Sequence, residues 1–274
     1  MLRPAKDTSA TSYAGSGGNI LDERPSLGEE IATAKALAWK GSGELPQLPW
    51  KVNIAGTVLV VDLWSGFGGA LMAMLSLGIR VIAVALETNK DCTKVAAKNL
   101  QNIIHAGNVE QFNVDCLLPI LEKRNISAIF IGGGSPCQGN SFANKSRKGL
   151  GDERSLQPQW LARHSAAIRA LQPVRDKKIG VITWLENVAS GLPEVLSAYD
   201  ELLGASRIKM DAGEFGYVRR NRCFWAQVDG IPLCELAWTP PPSFDIIGRY
   251  SEEPRVSYNG TKPIPSSVKI DGGF

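Results

Sequence analysis

The sequence predicts an α/β protein built on a mostly parallel sheet, and three observations carry that prediction. Apolar, β-branched runs of strand length recur, with Thr57-Val58-Leu59-Val60-Val61 the strongest. Such a run has no polar alternation and reads as a strand buried on both faces. Each run is followed by a stretch with helical spacing, and strands alternating with helices imply parallel neighbours covered by helices on both sides. Glycines, acids and a cysteine gather at the strand ends, where ligands bind in sheets of this kind.

The elements follow in order. Residues 1–51 form an N-terminal extension, partly disordered, in which 29–40 has the spacing for one short helix before a Gly/Ser/Pro linker at 41–46. The first strand, 57–61, runs into a glycine-rich turn and a helix at 70–77 closed by Gly78. A second strand, 81–86, ends at Glu87 and leads into a helix at 90–100. Phe112-Asn113-Val114 reads as a short third strand ending at Asp115, and 117–123 as a helix. The fourth strand, 128–131, opens into a long polar loop, 132–155. A helix at 160–171, a strand at 181–185 and a helix at 193–203 come next, with Pro193 in the first turn where its missing donor is harmless. Late strands fall at 208–210 and 222–226. The domain so defined spans 52–230, and 231–274 reads as an irregular tail or a truncated recognition segment.

Composition narrows the function. Hydrophobic residues make up 44% and charged residues 21%, which excludes a fibrous or wholly disordered chain. A net charge of +3 permits a polyanionic partner without demanding one. No apolar stretch is long enough to span a bilayer, and the first residues, Met1-Leu2-Arg3-Pro4-Ala5-Lys6-Asp7, have no apolar core of a secretory signal. Five cysteines with no C-x-x-C pair, and only two histidines, argue against a disulfide framework and against a metal site, and a reducing, intracellular setting is expected.

The strand ends hold the chemistry. Asp62-Leu63-Trp64-Ser65-Gly66-Phe67-Gly68-Gly69 is a turn whose glycines let a ligand approach the backbone ahead of a helix N-terminus. Glu87 stands about 20 residues beyond Gly66, a spacing at which an acid can accept both ribose hydroxyls of a nucleotide. These two features do not separate NAD from S-adenosylmethionine. Gly134-Ser135-Pro136-Cys137-Gln138 puts a cysteine at a strand end with no core around it to pack in, unlike the small buried hydrophobe that a lone cysteine usually is. Glu186 and Asn187 end the next strand, where a simpler role would be to cap the following helix. Arg220 and Arg222, at i and i+2, share one face of a strand.

In this order the motifs resemble the cytosine-C5 DNA methyltransferase family, and Ser135-Pro136-Cys137 with Phe224-Trp225 looks most similar to its de novo eukaryotic branch. The resemblance covers about 58–226. It implies a Rossmann-like, S-adenosylmethionine-dependent fold with a mostly parallel seven-stranded sheet. It implies S-adenosyl-L-methionine held by Asp62, Trp64, Ser65, Gly66, Phe67, Gly68, Glu87, Asp115, Cys116, Ser135 and Pro136, with Asp115 meeting the adenine amino group. It makes Cys137 the nucleophile, Glu186 the acid, and Arg220 and Arg222 the positioning pair. Double-stranded DNA is the implied partner, with the target base flipped out of the helix, and Asn144, Lys145, Arg147, Lys148 and Arg154 near its phosphates. A nucleus is implied for a eukaryotic source and the cytoplasm otherwise.

The sequence departs from the family in four places. Trp64 replaces the usual Phe, Val218 the usual Gln ahead of the arginines, and Ala128-Ile129 occupies the region of the usual fourth-strand aspartate. After Ala226 no Asn-Ser-containing stretch returns to the cofactor site, so weak turnover by the chain alone is expected. Two other readings therefore stand beside the enzyme. One is a weakly active or inactive module that partners a complete methyltransferase chain. The other is the tRNA cytosine-C5 branch, whose Cys-x-Thr signature is not found.

Overall fold

The computed structural model describes residues 26–42, 45, 54–212 and 220–232. In chain order the elements are α1 (Leu27–Ala32), β1 (Ala38–Trp39), β2 (Thr57–Leu63), α2 (Gly69–Ser76), β3 (Val81–Leu86), α3 (Lys90–Asn99), β4 (Leu100–Gln101), β5 (Ile104–Gly107), α4 (Leu118–Lys123), β6 (Ile126–Gly134), α5 (Pro158–Ala170), α6 (Gln172–Asp176), β7 (Gly180–Val188), α7 (Pro193–Leu203), β8 (Ile208–Asp211), β9 (Asn221–Val228) and β10 (Ile231–Pro232).

The main sheet runs β5-β3-β2-β6-β7-β9, with β8 and the two-residue β10 both on the far edge of β9. Strands β5, β3, β2, β6 and β7 are parallel, and β9 runs against β7. Counting β8 and setting aside β10, this is the expected seven-stranded, mostly parallel, Rossmann-like sheet. Chain order reverses direction between β2 and β6, which leaves a crevice beyond their carboxyl ends.

Strand β2 shows why the sequence gives a central strand. Leu59, Val61 and Leu63 enter one cluster with Ile129, Ile131, Leu161 and Val181, while Val58 and Val60 enter another with Leu71, Met74 and Leu100. Both faces are therefore covered, as an unbroken apolar run requires. Each such fully buried side chain contributes about 1.5–3 kcal/mol.

Two parts differ from the sequence expectation. The helix expected over 29–40 is only Leu27–Ala32, started by a capping box in which the Ser26 hydroxyl accepts from the Glu29 N–H and the Glu29 carboxylate accepts from the Ser26 N–H. Beyond it the chain is extended, and β1 pairs antiparallel with β4. Ile31 is fully buried in the main core, so this part of the extension packs on the domain. The third strand is Ile104–Gly107, not 112–114, which lies at 3-10 turns. The tail beyond Pro232 and the segment 213–219, with Val218, lie outside the described residues.

Candidate active site

Beyond the ends of β2, β3, β5 and β6 lies a cavity of about 420 Å³ lined by Trp64, Leu86, Glu87, Thr88, residues 107–110, Gly134, Pro136, Gln138, Arg154 and Gln157. The turn after β2 builds one wall. Gly66 and Gly68 take φ of 54° and 85°, in the left-handed region, and Gly68 is the N-cap of α2. Glu87 ties the turn down: one carboxylate oxygen accepts from the Gly66 N–H at 2.9 Å, the other from the Asn89 N–H at 2.7 Å. Both carboxylate oxygens keep further lone pairs for ligand hydroxyls.

Asp62 is 3% exposed, and Asp62 Oδ2 and Ser65 Oγ are buried without hydrogen-bond partners among the described residues. Burial, with the nearby negative charge of Glu87, pushes the Asp62 carboxyl up to about 8. An indole face at Trp64, aliphatic walls from Leu86, Val109 and Pro136, and a carboxylate at Glu87 suit a planar base joined to a sugar with free hydroxyls. The residues present therefore fit S-adenosylmethionine.

The expected cofactor residues divide three ways. Trp64, Glu87 and Pro136 line the cavity, and Asp62, Ser65, Gly66, Gly68 and Ser135 shape the turns around it. Phe67 is 57% exposed and outside the lining. Asp115 and Cys116 stand apart from the cavity on a 3-10 turn that packs near α1. Burial raises the Cys116 thiol to about 11. The cause is the misplaced third strand: with β5 ending at Gly107, the position just beyond it is Asn108, and Asn108, Val109 and Glu110 line the cavity instead. The signal was the Gly107-Asn108 pair, a turn marker after Ile103-Ile104.

The next two strand ends carry the cysteine and the acid that the sequence singles out. Cys137 lies between Pro136 and Gln138, both on the cavity, and its carbonyl accepts from the N–H groups of Asn140 and Ser141. Gly134 is paired in register with Glu186 across β6 and β7. A Cβ on Gly134 would stand 2.7 Å from Glu186 Oε2, so only glycine lets the carboxylate stand there. Glu186 Oε1 is ion-paired with Arg222 Nε, and both side chains are 21% exposed. Glu186, Arg220 and Arg222 line a second cavity of about 250 Å³ with Met210, Ala212 and Phe224.

A buried polar network locks these strand ends together. Asn187 Nδ2 donates to Ser135 Oγ at 2.8 Å, Asn187 Oδ1 accepts from the Val188 N–H at 2.8 Å, and Asn140 Nδ2 reaches Asn187 Oδ1 at 3.4 Å. Asn187 therefore ties β7 to the cysteine loop. It does not cap α7, whose N-cap is Leu192 with no side-chain bond. In the loop that follows, Arg147 lies over the exposed Phe142 ring at 4.1 Å. Arg154 is gripped by Asp152 at 2.7 and 2.9 Å.

Residues 58–189 match the family model of the C-5 cytosine-specific DNA methylases, a span that holds the glycine turn, Glu87, Cys137 and Glu186. A crystal structure described as a DNA modification methyltransferase encoded within an E. coli prophage is similar at 23% identity and a TM-score of 0.43. The match covers 62% of this chain and 46% of that one, so the chain spans less than half the length of that structure. No curated protein matches the chain. Among the described residues, no helix is long and apolar enough to cross a membrane, and no group of His, Cys, Asp and Glu is arranged to hold a metal.

Proposed function

We propose that the chain is a cytosine-C5 DNA methyltransferase, taking its methyl group from S-adenosyl-L-methionine and acting on a cytosine turned out of duplex DNA. The observation that carries this reading is the in-register pairing of Gly134, on the cavity that bears Trp64 and Glu87, with the Arg222-held Glu186, at the strand end that leads three residues on to Cys137. The family match over 58–189 supports it, and a dehydrogenase has no use for this pair. Ser135-Pro136-Cys137 and Phe224-Trp225 favour likeness to the de novo branch.

The cofactor, when bound, supplies an electrophilic methyl group. Trp64 and the walls at Leu86 and Val109 orient its base, and Glu87 takes the sugar hydroxyls. Cytosine C5 is too weak a nucleophile to react unaided, so the thiolate of Cys137 adds to C6, forming an S–C6 bond and turning the ring into an enamine. Electron density moves to N3, where Glu186, steadied by Arg222, delivers a proton. C5 then accepts the methyl group. Its own proton leaves to solvent, the S–C6 electrons return to sulfur, and N3 returns its proton to Glu186. The small cavity floored by Met210 and Phe224 is apolar enough to receive the flipped base, and flipping costs roughly a few kcal/mol.

The test is a single-turnover reaction, protein in excess over duplex DNA with S-adenosylmethionine, followed by mass spectrometry of the nucleosides. The expected product is 5-methyl-2′-deoxycytidine, absent with Cys137→Ser. Methylation at an exocyclic amino group, or product formation that survives Cys137→Ser, would overturn the reading.

A further inference from the structure

One glutamine joins three distant segments of the cofactor cavity. Gln157 ends the loop that begins at Cys137 and opens α5. Its Oε1 accepts from Trp64 Nε1 at 3.3 Å, and its Nε2 donates to Glu110 Oε1 at 2.9 Å. Chemistry fixes this polarity, because an indole N–H only donates and a carboxylate only accepts. All three side chains line the same cavity.

Trp64 needs such a hold. Its φ is 54°, a left-handed backbone that a bulky residue keeps only where its surroundings over-determine it. Its ring lies close to the backbone of Gly133, where a Cβ would stand 3.4 Å from ring atom Cε3. The side chain also packs against the main core, and the bond to Gln157 fixes the polar edge of its ring. A phenylalanine here would offer no N–H to hold.

We infer that Gln157 is a positioning residue: by clasping Trp64 and Glu110 it sets the slot that receives the cofactor's planar base. Because Gln157 closes the cysteine loop, the clasp also joins that slot to the loop carrying Cys137. The inference rests on the reading of this cavity as the cofactor site, and the role it gives Gln157 is to place Trp64 and Glu110.

A polarity swap tests it. Titration calorimetry with S-adenosylhomocysteine is run on the full chain and on Gln157→Glu, Glu110→Gln and the double variant, with melting of each unliganded protein as the check on folding. Gln157→Glu sets two carboxylates face to face and is expected to weaken binding about tenfold or more. Glu110→Gln alone exchanges the charge-assisted bond for an amide-to-amide one and should bind more weakly than wild type but more tightly than Gln157→Glu. The double variant exchanges donor and acceptor: the amide now at position 110 donates to the carboxylate now at position 157, and Trp64 still finds an oxygen. It should regain most of the affinity. A merely structural role predicts that affinity tracks the melting temperature across the set, whereas a positioning role predicts loss and rescue of affinity at unchanged melting temperature. If Gln157→Glu lowers the melting temperature sharply, Gln157→Met, nearly the same shape without either bond, must show the same loss of affinity. Wild type that binds while Gln157→Glu binds equally well overturns the clasp alone, as does a double variant no better than Gln157→Glu. Wild type that fails to bind overturns the cofactor reading and the clasp with it.

Discussion

Asp62 is a carboxyl group buried at the end of the central strand, with an unpartnered oxygen and a like charge nearby at Glu87. Its folded value of about 8 lies above the ordinary aspartate range near 4. It therefore binds its proton more tightly folded than unfolded. The stability it contributes is fully present below about pH 4 and is lost as pH rises toward 8, at a limiting slope of about 1.4 kcal/mol per pH unit. Asp62→Asn keeps the shape and removes the titration. Denaturant unfolding between pH 5 and 8 should show wild type losing stability relative to Asp62→Asn as pH rises. Parallel curves would mean that Asp62 is ionised and accommodated. The sequence placed Asp62 in a glycine turn and, by resemblance, among the cofactor residues, but its unpartnered oxygen was not legible there, because the absence of a partner is a property of packing and not of the local motif.

At the scale of elements, the site depends on how β6 and β7 are held together at their ends. Asn187 satisfies Ser135 and its neighbour Val188 inside a region closed to water. Asn187→Ala leaves the Ser135 hydroxyl without its donor and should cost about 1–3 kcal/mol of stability. It should also slow cysteine attack, since Ser135 precedes Pro136 and Cys137. Chemical denaturation and single-turnover rates measure the two effects, and an unchanged rate in a destabilised protein would confine Asn187 to folding. Sequence reasoning found the strong elements well: β3 and α7 fall on their expected bounds, because a continuous apolar run and a proline in the first turn are local signals. It missed β5, which is four residues long with His105 and Gly107 in it, too short and too polar to outscore Phe112-Asn113-Val114. With β5 ending at Gly107, Asn108 lines the cavity and Asp115 does not. The Trp64–Gln157–Glu110 chain was equally invisible, since its members stand 93 and 47 positions apart.

At the scale of the molecule, two cavities lie at neighbouring strand ends of one sheet, one beside Gly134 and the other beside Glu186. The parallel strands bring Trp64, Glu87 and Pro136 around the larger cavity, and the antiparallel return of β9 brings Arg222 and Phe224 to Glu186 around the smaller. Gly134 stands between them, and Cys137 follows three residues later. On the proposed reading, the larger cavity seats the cofactor, the smaller seats the base, and Cys137 attacks from the loop that follows Gly134. The most direct test of this arrangement uses duplex DNA containing 5-fluorocytosine. Fluorine at C5 cannot leave as a proton does, so once the methyl group is transferred the bond between Cys137 and C6 cannot be released, and the adduct reports a competent site without turnover. With S-adenosylmethionine, wild-type protein should give a denaturation-resistant protein–DNA band, and Cys137→Ser should give none, since a serine hydroxyl is far less ionised than a thiol near neutral pH. An adduct that persists in Cys137→Ser, or tight cofactor binding with no adduct in wild type, would contradict the account.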